Sequence, residues 1–199
     1  SVGVDRQRAS VDAQHAAELI ARGNAAQTTL AGWAAPSLAD LLRDLAISAA
    51  ERAEHLASTT LAEMGGGDLA GEIQANRRAS RWLHAALLDG EVNLTLPANV
   101  LRSGNGMILG YVSQRYAAAT VVAASLLAIG ARRGLILSCH QAARQSCRRI
   151  AGLIEEVLTR HEAPHELLQW VQWGTGCAAV LEQMSRGGRA VILDNGSIE

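Results

Sequence analysis

The chain has 199 residues, of which 49% are hydrophobic, and its formal net charge is -1 at pH 7. This length and composition predict one globular domain and exclude a disordered chain, and the near-zero charge argues against nucleic acid or an anionic membrane as a partner. The sequence contains no Lys, which excludes a Schiff-base lysine and a P-loop lysine.

The first 90 residues predict helices, interrupted at Pro36 and at the glycines 65–67. Ser37 with Asp40 has the spacing of a capping box, so we expect a helix to begin at Ser37. Its apolar residues recur on one face and predict a stripe that packs against a partner element: Leu38, Leu41, Leu42, Leu45 and Ala46. A further helix is predicted over 68–88, with Leu69, Ile73, Trp82 and Leu83 as its buried positions.

Residues 91–199 predict a β-hairpin followed by an α/β sheet. Apolar residues alternate from Val92 to Leu96, and Gly104-Asn-Gly106 is a turn signal. Strands and helices then alternate along the chain at 107–112, 117–130, 135–138, 141–160, 167–171, 175–184 and 190–193. This alternation favours an open, mostly parallel, Rossmann-like sheet.

The second strand of that sheet ends on Ser138-Cys139-His140. Open α/β sheets bind ligands outside the carboxyl ends of their strands, so this position favours a binding role. The alternative is a loop histidine that bonds only to nearby backbone. The arginines of the next helix, Arg144, Arg148 and Arg149, either steer a phosphate or form a solvated face, and the second interpretation is favoured.

The segment from Gly106-Met-Ile-Leu-Gly-Tyr-Val through Leu135-Ile-Leu-Ser-Cys-His140 resembles, without a gap, the cofactor domain of the CoA-acylating aldehyde dehydrogenases. Glu162-Ala-Pro-His-Glu-Leu-Leu is also similar to a Gly-Ala-Pro-x-x-Leu-Ile stretch of that family, and Val191-Ile-Leu-Asp-Asn-Gly196 stands in the place of Ile-Leu-Ala-Thr-Gly-Gly. The resemblance implies the N-terminal cofactor-domain half of that fold, with residues 1–90 as its helical part and 91–199 as hairpin and sheet.

The resemblance also implies site residues. The family has Ser-Pro-His-Pro beside the dinucleotide ribose, so Ser138 and His140, together with Gly196 of the glycine turn, are the implied binding residues for NAD or NADP. Tyr116 stands where the family has an asparagine that stabilises charge on the substrate oxygen. The family's nucleophilic cysteine belongs to a domain downstream of the glycine turn, so this resemblance implies no catalytic residue within the chain.

Three functions therefore stay open. The first is an inactive, truncated aldehyde dehydrogenase-like protein that serves as a binding or assembly subunit. The second is the NAD(P)-binding portion of an active oxidoreductase that is completed by another segment, and the third is a helical interaction protein without a cofactor. For the first, we expect a homo-oligomer or a partner protein that covers the apolar surface left by the missing catalytic domain.

Cysteine and histidine usage completes the expectations. Cys139, Cys147 and Cys177 form neither an even set nor a CxxC motif, which predicts buried, unpaired thiols and a reducing compartment, with the cytoplasm as the default. The six histidines include no H-E-x-x-H motif, so no metal site is predicted. The N-terminus lacks the apolar region of a secretion signal, and the apolar run 117–130 is too short to span a bilayer, so no membrane association is expected.

Overall fold

The computed structural model describes residues 2–88, 106–172, 174–186 and 191–193, and the side chains of 12–81, 106–171 and 174–185. The predicted hairpin, Gly196, and the side chains of Trp82 and Leu83 lie outside these ranges. The helices are α1 (Val2–Ala31), α2 (Ala35–Glu51), α3 (Ala53–Met64), α4 (Leu69–Leu88), α5 (Ala117–Gly130), α6 (Arg144–Arg160) and α7 (Thr175–Arg186). The strands are β1 (Ile108–Val112), β2 (Leu135–Cys139), β3 (Leu168–Gln172) and β4 (Val191–Leu193).

The four strands form one parallel sheet in the order β3-β2-β1-β4. The chain therefore passes from β1 outward to β3 and then returns to the opposite side of β1. This order is that of the first half of a doubly wound nucleotide-binding fold. The predicted alternation of strands and helices is confirmed, with boundaries that differ by at most three residues.

Both faces of the sheet are covered by helices. Ile108, Val112, Leu135 and Leu137 point into a large core with α2, α5 and α6, whereas the intervening residues Leu109 and Ile136 join a second core with α1 and α7. Because both faces are buried, the strands are continuous apolar runs rather than alternating ones. Helix α5 is apolar on almost every side because α2, α4, α6 and the sheet surround it. No helix within the described residues is both long and apolar enough to cross a membrane.

Helix α2 begins at Ala35, so the prediction that Ser37 starts it is wrong. Ala34 occupies the N-cap, and Pro36 lies within the first turn. Proline suits that position because its missing N–H would have no partner in the first turn. The predicted apolar stripe is confirmed, since Leu38, Leu41, Leu42, Leu45 and Ala46 are all buried.

Helix α4 buries a different face from the predicted one. Leu69 is 42% exposed and Ile73 is half-buried, whereas Glu72, Asn76 and Ser80 are all at most 3% exposed. The Asn76 side chain donates to the Ala53 carbonyl at 3.0 Å and so ties α4 to the start of α3. A polar face is buried here because hydrogen bonds to the backbone offset part of the cost of removing it from water.

Candidate functional site

One cavity of the described structure lies at the carboxyl ends of β2 and β3, against the first half of α6. We call it the β2–β3 cavity. Its volume is about 590 Å³, and its walls come from the end of β2, the turn after it, α6 and β3. The lining residues are Cys139, Gln141, Arg144, Cys147, Arg148, Ala151, Gly152, Glu155, Trp170 and Val171. This volume lies within the usual range for small-molecule and cofactor sites.

The walls of the cavity combine cationic, amide and aromatic groups. Arg144 and Arg148 are exposed residues one helical turn apart on α6, and both line the cavity. Gln141 adds an amide and Trp170 an indole ring. Arginine forks bind phosphate oxygens in pairs, and an aromatic wall suits a flat base.

The start of α6 is held in place by a carboxylate from another helix. Glu63 of α3 accepts hydrogen bonds from the Ser146 backbone N–H at 2.8 Å, from the Ser146 hydroxyl and from the Gln145 N–H. The two backbone N–H groups belong to the first turn of α6 and have no partner inside the helix. Glu63 thus fixes the turn that carries Arg144.

The connection between β2 and α6 is equally fixed. The His140 backbone N–H donates to the Val112 carbonyl at 2.9 Å, and its ring Nδ1 accepts from the Ala142 N–H at 3.2 Å. His140 therefore caps the short 3-10 turn Gln141–Ala143. The Nδ1 atom of His140 thus bonds to nearby backbone, as the loop-histidine alternative predicted. The ring lies at the carboxyl edge of the sheet.

Ser138 is fully buried at the same edge. It pairs with Tyr111 in register and is followed by Cys139, which lines the cavity. By strand alternation the Ser138 side chain shares the Ile136 face, on the side of α1 and α7, and it is not part of the cavity wall. Among the described residues, no group bonds its hydroxyl oxygen. The structure thus brings Ser138 and His140 to one strand end but places neither on the wall of the β2–β3 cavity.

The cysteine prediction is wrong for two of the three residues. Cys139 at the end of β2 and Cys147 on α6 form a disulfide, with their Cα atoms 6.9 Å apart. Cys177 on α7 is unpaired and buried, as predicted. An eight-residue separation is a poor signal for pairing, and only the packing of α6 over the end of β2 brings the two sulfur atoms together.

At the carboxyl end of β1, Tyr116 contacts a buried glutamate, Glu72, that the sequence pattern did not place there. Tyr116 has φ 54° and serves as the N-cap of α5, and it is 37% exposed. The Arg115 guanidinium lies 5.2 Å from the centre of its ring. Its backbone N–H donates to the buried Glu72 carboxylate at 3.2 Å. Burial raises the pKa of Glu72, while the hydrogen bond from Tyr116 and the charge of Arg115 act in the opposite direction.

Other titratable clusters lie away from this edge. His161 and Arg160 both reach Asp44 across α2 and α6, at 3.0 Å and 3.4 Å. Arg149, which the sequence grouped with Arg144 and Arg148, contacts His55 at 2.9 Å and points away from the cavity. Within the described residues, no three His, Cys, Asp or Glu side chains are grouped as metal ligands.

No known protein-family model matches the chain. Among curated proteins, the bifunctional aldehyde-alcohol dehydrogenase of Escherichia coli strain K12 is 24% identical over 159 residues. That match covers 77% of this chain and 18% of the relative. This chain therefore corresponds to less than a fifth of the curated relative.

Solved aldehyde dehydrogenases share the fold over most of the chain. A probable aldehyde dehydrogenase from Listeria monocytogenes aligns with a TM-score of 0.75 at 20% identity, covering 92% of this chain and 42% of its own. An acetylating aldehyde dehydrogenase from Geobacillus thermoglucosidasius aligns with a TM-score of 0.72 at 18% identity, covering 87% and 40%. A propionaldehyde dehydrogenase from Rhodopseudomonas palustris, solved with bound CoA and an acylated cysteine, aligns with a TM-score of 0.68.

These comparisons confirm the resemblance that the sequence showed. The chain has the Rossmann-type fold of the CoA-acylating aldehyde dehydrogenases and spans about 40% of the solved relatives, which is consistent with their N-terminal half.

Proposed function

We propose that this chain binds the adenosine-phosphate part of NAD, NADP or CoA in the β2–β3 cavity and serves as the nucleotide-binding part of an aldehyde dehydrogenase-like protein. The observation that carries the proposal is that two arginines, Arg144 and Arg148, and the aromatic Trp170 all line this one cavity. The fold and the position at the carboxyl ends of two parallel strands support it.

The cavity fits part of a dinucleotide. The two arginines match the charge and geometry of phosphate oxygens, and the indole of Trp170 offers a surface to an adenine ring. When bound, a nicotinamide cofactor would supply hydride chemistry and CoA would supply a thiol. The described residues support a role in binding and no chemical step. Gly196, the third implied binding residue, lies outside the described residues.

Calorimetric titration with NAD, NADP, CoA and adenosine tests the binding proposal. Replacing both cavity arginines, Arg144→Gln and Arg148→Gln, removes the charge-assisted contacts, and we expect affinity for the phosphorylated ligands to fall by at least about tenfold. Arg149→Gln is the matched control, because Arg149 is on the same helix but contacts His55. Equal loss in the control, or no heat with any ligand and the unaltered protein, would refute the proposal.

We further propose that the chain catalyses no acyl transfer while Cys139 and Cys147 are bridged. Its three cysteines comprise a bridged pair and a buried thiol, Cys177, that is 4% exposed. A nucleophilic cysteine needs access and a base or cationic group that favours its thiolate, and Cys177 has neither access nor such a partner among the described contacts. Assaying the purified, oxidised chain for NAD(P)-dependent reduction of acyl-CoA, without a thiol reductant, should give no turnover. Turnover by the bridged protein would overturn this statement.

An assembly role is a second proposal, favoured by one observation. Leu69 and Tyr116 are both large, apolar and exposed. Both flank Glu72, because Leu69 lies about one helical turn before it on α4 and the Tyr116 backbone N–H donates a hydrogen bond to it. Exposed apolar groups that cluster at one edge mark interfaces. Light scattering should detect an oligomer that dissociates in a Leu69→Asp, Tyr116→Ser variant. A monodisperse monomer would refute this role without affecting the nucleotide proposal.

A further inference from the structure

We propose that Cys139 and Cys147 form a reversible thiol–disulfide site in the wall of the β2–β3 cavity, and that low-molecular-weight disulfides and thiols switch it between a bridged and an open state. The redox state of the pair would control how firmly the turn between β2 and α6 is held. The effect on ligand binding rests on the proposed function, whereas the chemistry of the pair does not.

The bridge closes a small loop that contains residues proposed to contact the ligand. Residues 140–146 lie between the two sulfur atoms and include His140, Gln141 and Arg144. Gln141 and Arg144 line the cavity together with both cysteines. With the bridge intact, the end of β2 is joined covalently to the first turns of α6. Reduction removes this covalent link and leaves noncovalent contacts, among them those of His140 and Glu63.

The surroundings of the pair suit thiol chemistry. Cys147 is the fourth residue of α6, close to the positive end of the helix dipole, and the guanidinium groups of Arg144 and Arg148 line the same cavity. Positive charge and a helix N-terminus both favour a thiolate. Cys139 is half-buried and Cys147 is 4% exposed. Cys139 is therefore the sulfur that a small reagent entering the cavity meets first.

The oxidising half of the cycle uses a small disulfide such as glutathione disulfide. The Cys139 thiolate attacks one sulfur of the reagent, forming a mixed disulfide and releasing one thiolate. The Cys147 thiolate then attacks the Cys139 sulfur, forming the protein bridge and releasing the second thiolate. Two electrons pass from the protein thiols to the reagent, and the two released thiolates take up the two protons. Excess reduced glutathione reverses both exchanges.

Counting thiols in denaturant tests the chemistry without any nucleotide. After equilibration with glutathione disulfide we expect one free thiol per chain, that of Cys177, and after reduction all three. Cys147→Ser should stop at the mixed disulfide, which mass spectrometry detects as a single glutathione adduct on Cys139. Cys177→Ser is the matched control and should still form the bridge. Three free thiols after oxidation, or no adduct on Cys147→Ser, would overturn the proposal.

Amide hydrogen exchange tests the structural consequence, also without ligand. We expect the amides of residues 140–146 to exchange faster in the reduced protein, while those of α2, which has no part in the bridge, stay unchanged. Equal exchange of 140–146 in the two states would overturn the claim that the bridge holds this turn.

Ligand titration then measures how the redox state of Cys139 and Cys147 changes the affinity for ligand. We expect the bridged protein to bind NAD, NADP or CoA about fivefold or more tightly than the reduced one, because a held loop loses less conformational freedom on binding. The Cys139→Ser, Cys147→Ser variant should show the weaker affinity in both conditions. If ligand binds equally in both states, the coupling is refuted. If ligand binds in neither, the proposed function fails, and the thiol counts still decide the redox site.

Discussion

The Glu72 carboxylate accepts a hydrogen bond from the Tyr116 backbone N–H at 3.2 Å and so joins α4 to the start of α5. Glu72 is 3% exposed. Among the described groups, none bonds its second oxygen, nor the side-chain oxygen of Asn76 one turn further along α4. Burial is the main cause of the raised pKa of Glu72. A buried carboxyl with a raised pKa thus lies beside the end of β1, next to Tyr116.

Glu72→Gln should change how stability depends on pH. Because the folded-state pKa of Glu72 is raised, its favourable contribution is complete below the ordinary glutamate pKa of 4.5 and is lost as pH rises through the folded pKa. Glutamine stays neutral at every pH. The stability of the variant relative to the unaltered protein should therefore increase from pH 4.5 upward.

Urea unfolding across pH 4 to 8 measures this difference. Glu166→Gln, which neutralises an exposed carboxylate, controls for the general change in net charge. Parallel curves for the unaltered protein and Glu72→Gln would contradict the prediction.

The second prediction concerns Arg132, which caps the C-terminal end of α1. Its guanidinium donates to the Leu30 carbonyl at 2.6 Å and to the Ala31 carbonyl at 3.4 Å, and its backbone φ is 55°. Arg132→Ala should lower the free energy of unfolding by about 1 kcal/mol or more, since cations stabilise the last carbonyls of a helix.

Arg132→Gly separates the lost bonds from the backbone strain. Glycine also lacks the guanidinium but adopts positive φ freely, so it should be more stable than the alanine variant, by about 1 kcal/mol. Chemical denaturation of the two variants side by side gives the difference. An alanine variant as stable as the glycine variant would show that the backbone conformation at Arg132 carries no cost.

The third prediction concerns Gly134, where the chain entering β2 passes close to α1. A Cβ at Gly134 would lie 3.0 Å from the Gly23 carbonyl oxygen and 3.0 Å from the Met107 methyl carbon. The Gly23 oxygen belongs to a helix backbone that cannot easily shift. Gly134→Ala should therefore destabilise the protein by about 1–3 kcal/mol, the usual range for overpacking.

Gly152→Ala is the matched control for that substitution. Gly152 lies inside α6, and no atom lies within 4 Å of the Cβ that alanine would add. Alanine there should raise stability by about 0.5–1 kcal/mol, because it favours a helix interior over glycine. Thermal or urea unfolding should place the two variants on opposite sides of the unaltered protein, and a shift of both in the same direction would contradict the packing argument.

The fourth prediction concerns Glu63, whose carboxylate caps α6 from outside the helix. Glu63→Ala leaves the Gln145 and Ser146 N–H groups without their acceptor and should cost about 1–2 kcal/mol. Glu63→Gln keeps one acceptor oxygen and should cost less. Hydrogen exchange of the first turn of α6 should rise in the alanine variant while that of the C-terminal turn of α6 does not. Uniform exchange along α6 would mean that Glu63 does not hold the first turn.

Sequence patterns predicted the elements well wherever the signal was local. The strands and helices from 107 to 193 follow from runs of apolar residues, and the buried stripe of α2 follows from the spacing of Leu38, Leu41 and Leu45. The polar face of α4 could not be predicted this way, because hydropathy assigns Glu72 and Asn76 to the solvent side. Their burial depends on α3 and α5 packing over that face.

The candidate site was likewise predicted from the sequence only in part. The rule that ligands lie at the carboxyl ends of parallel strands located the edge formed by Ser138 and His140. It did not identify Trp170 or the cavity face of Arg144 and Arg148, since these groups meet only when β3 and α6 come together. Gly196 and the dinucleotide role of all three implied residues stay predictions.

The sequence by itself determined the order of the elements and the parallel Rossmann-like sheet, because hydrophobic periodicity and turn residues act over a few neighbouring positions. Only the tertiary structure decided which polar groups are buried, where the cavity lies and that Cys139 meets Cys147. These properties depend on the distance between residues on different elements, and that distance is set by how helices pack on the sheet and not by any local pattern.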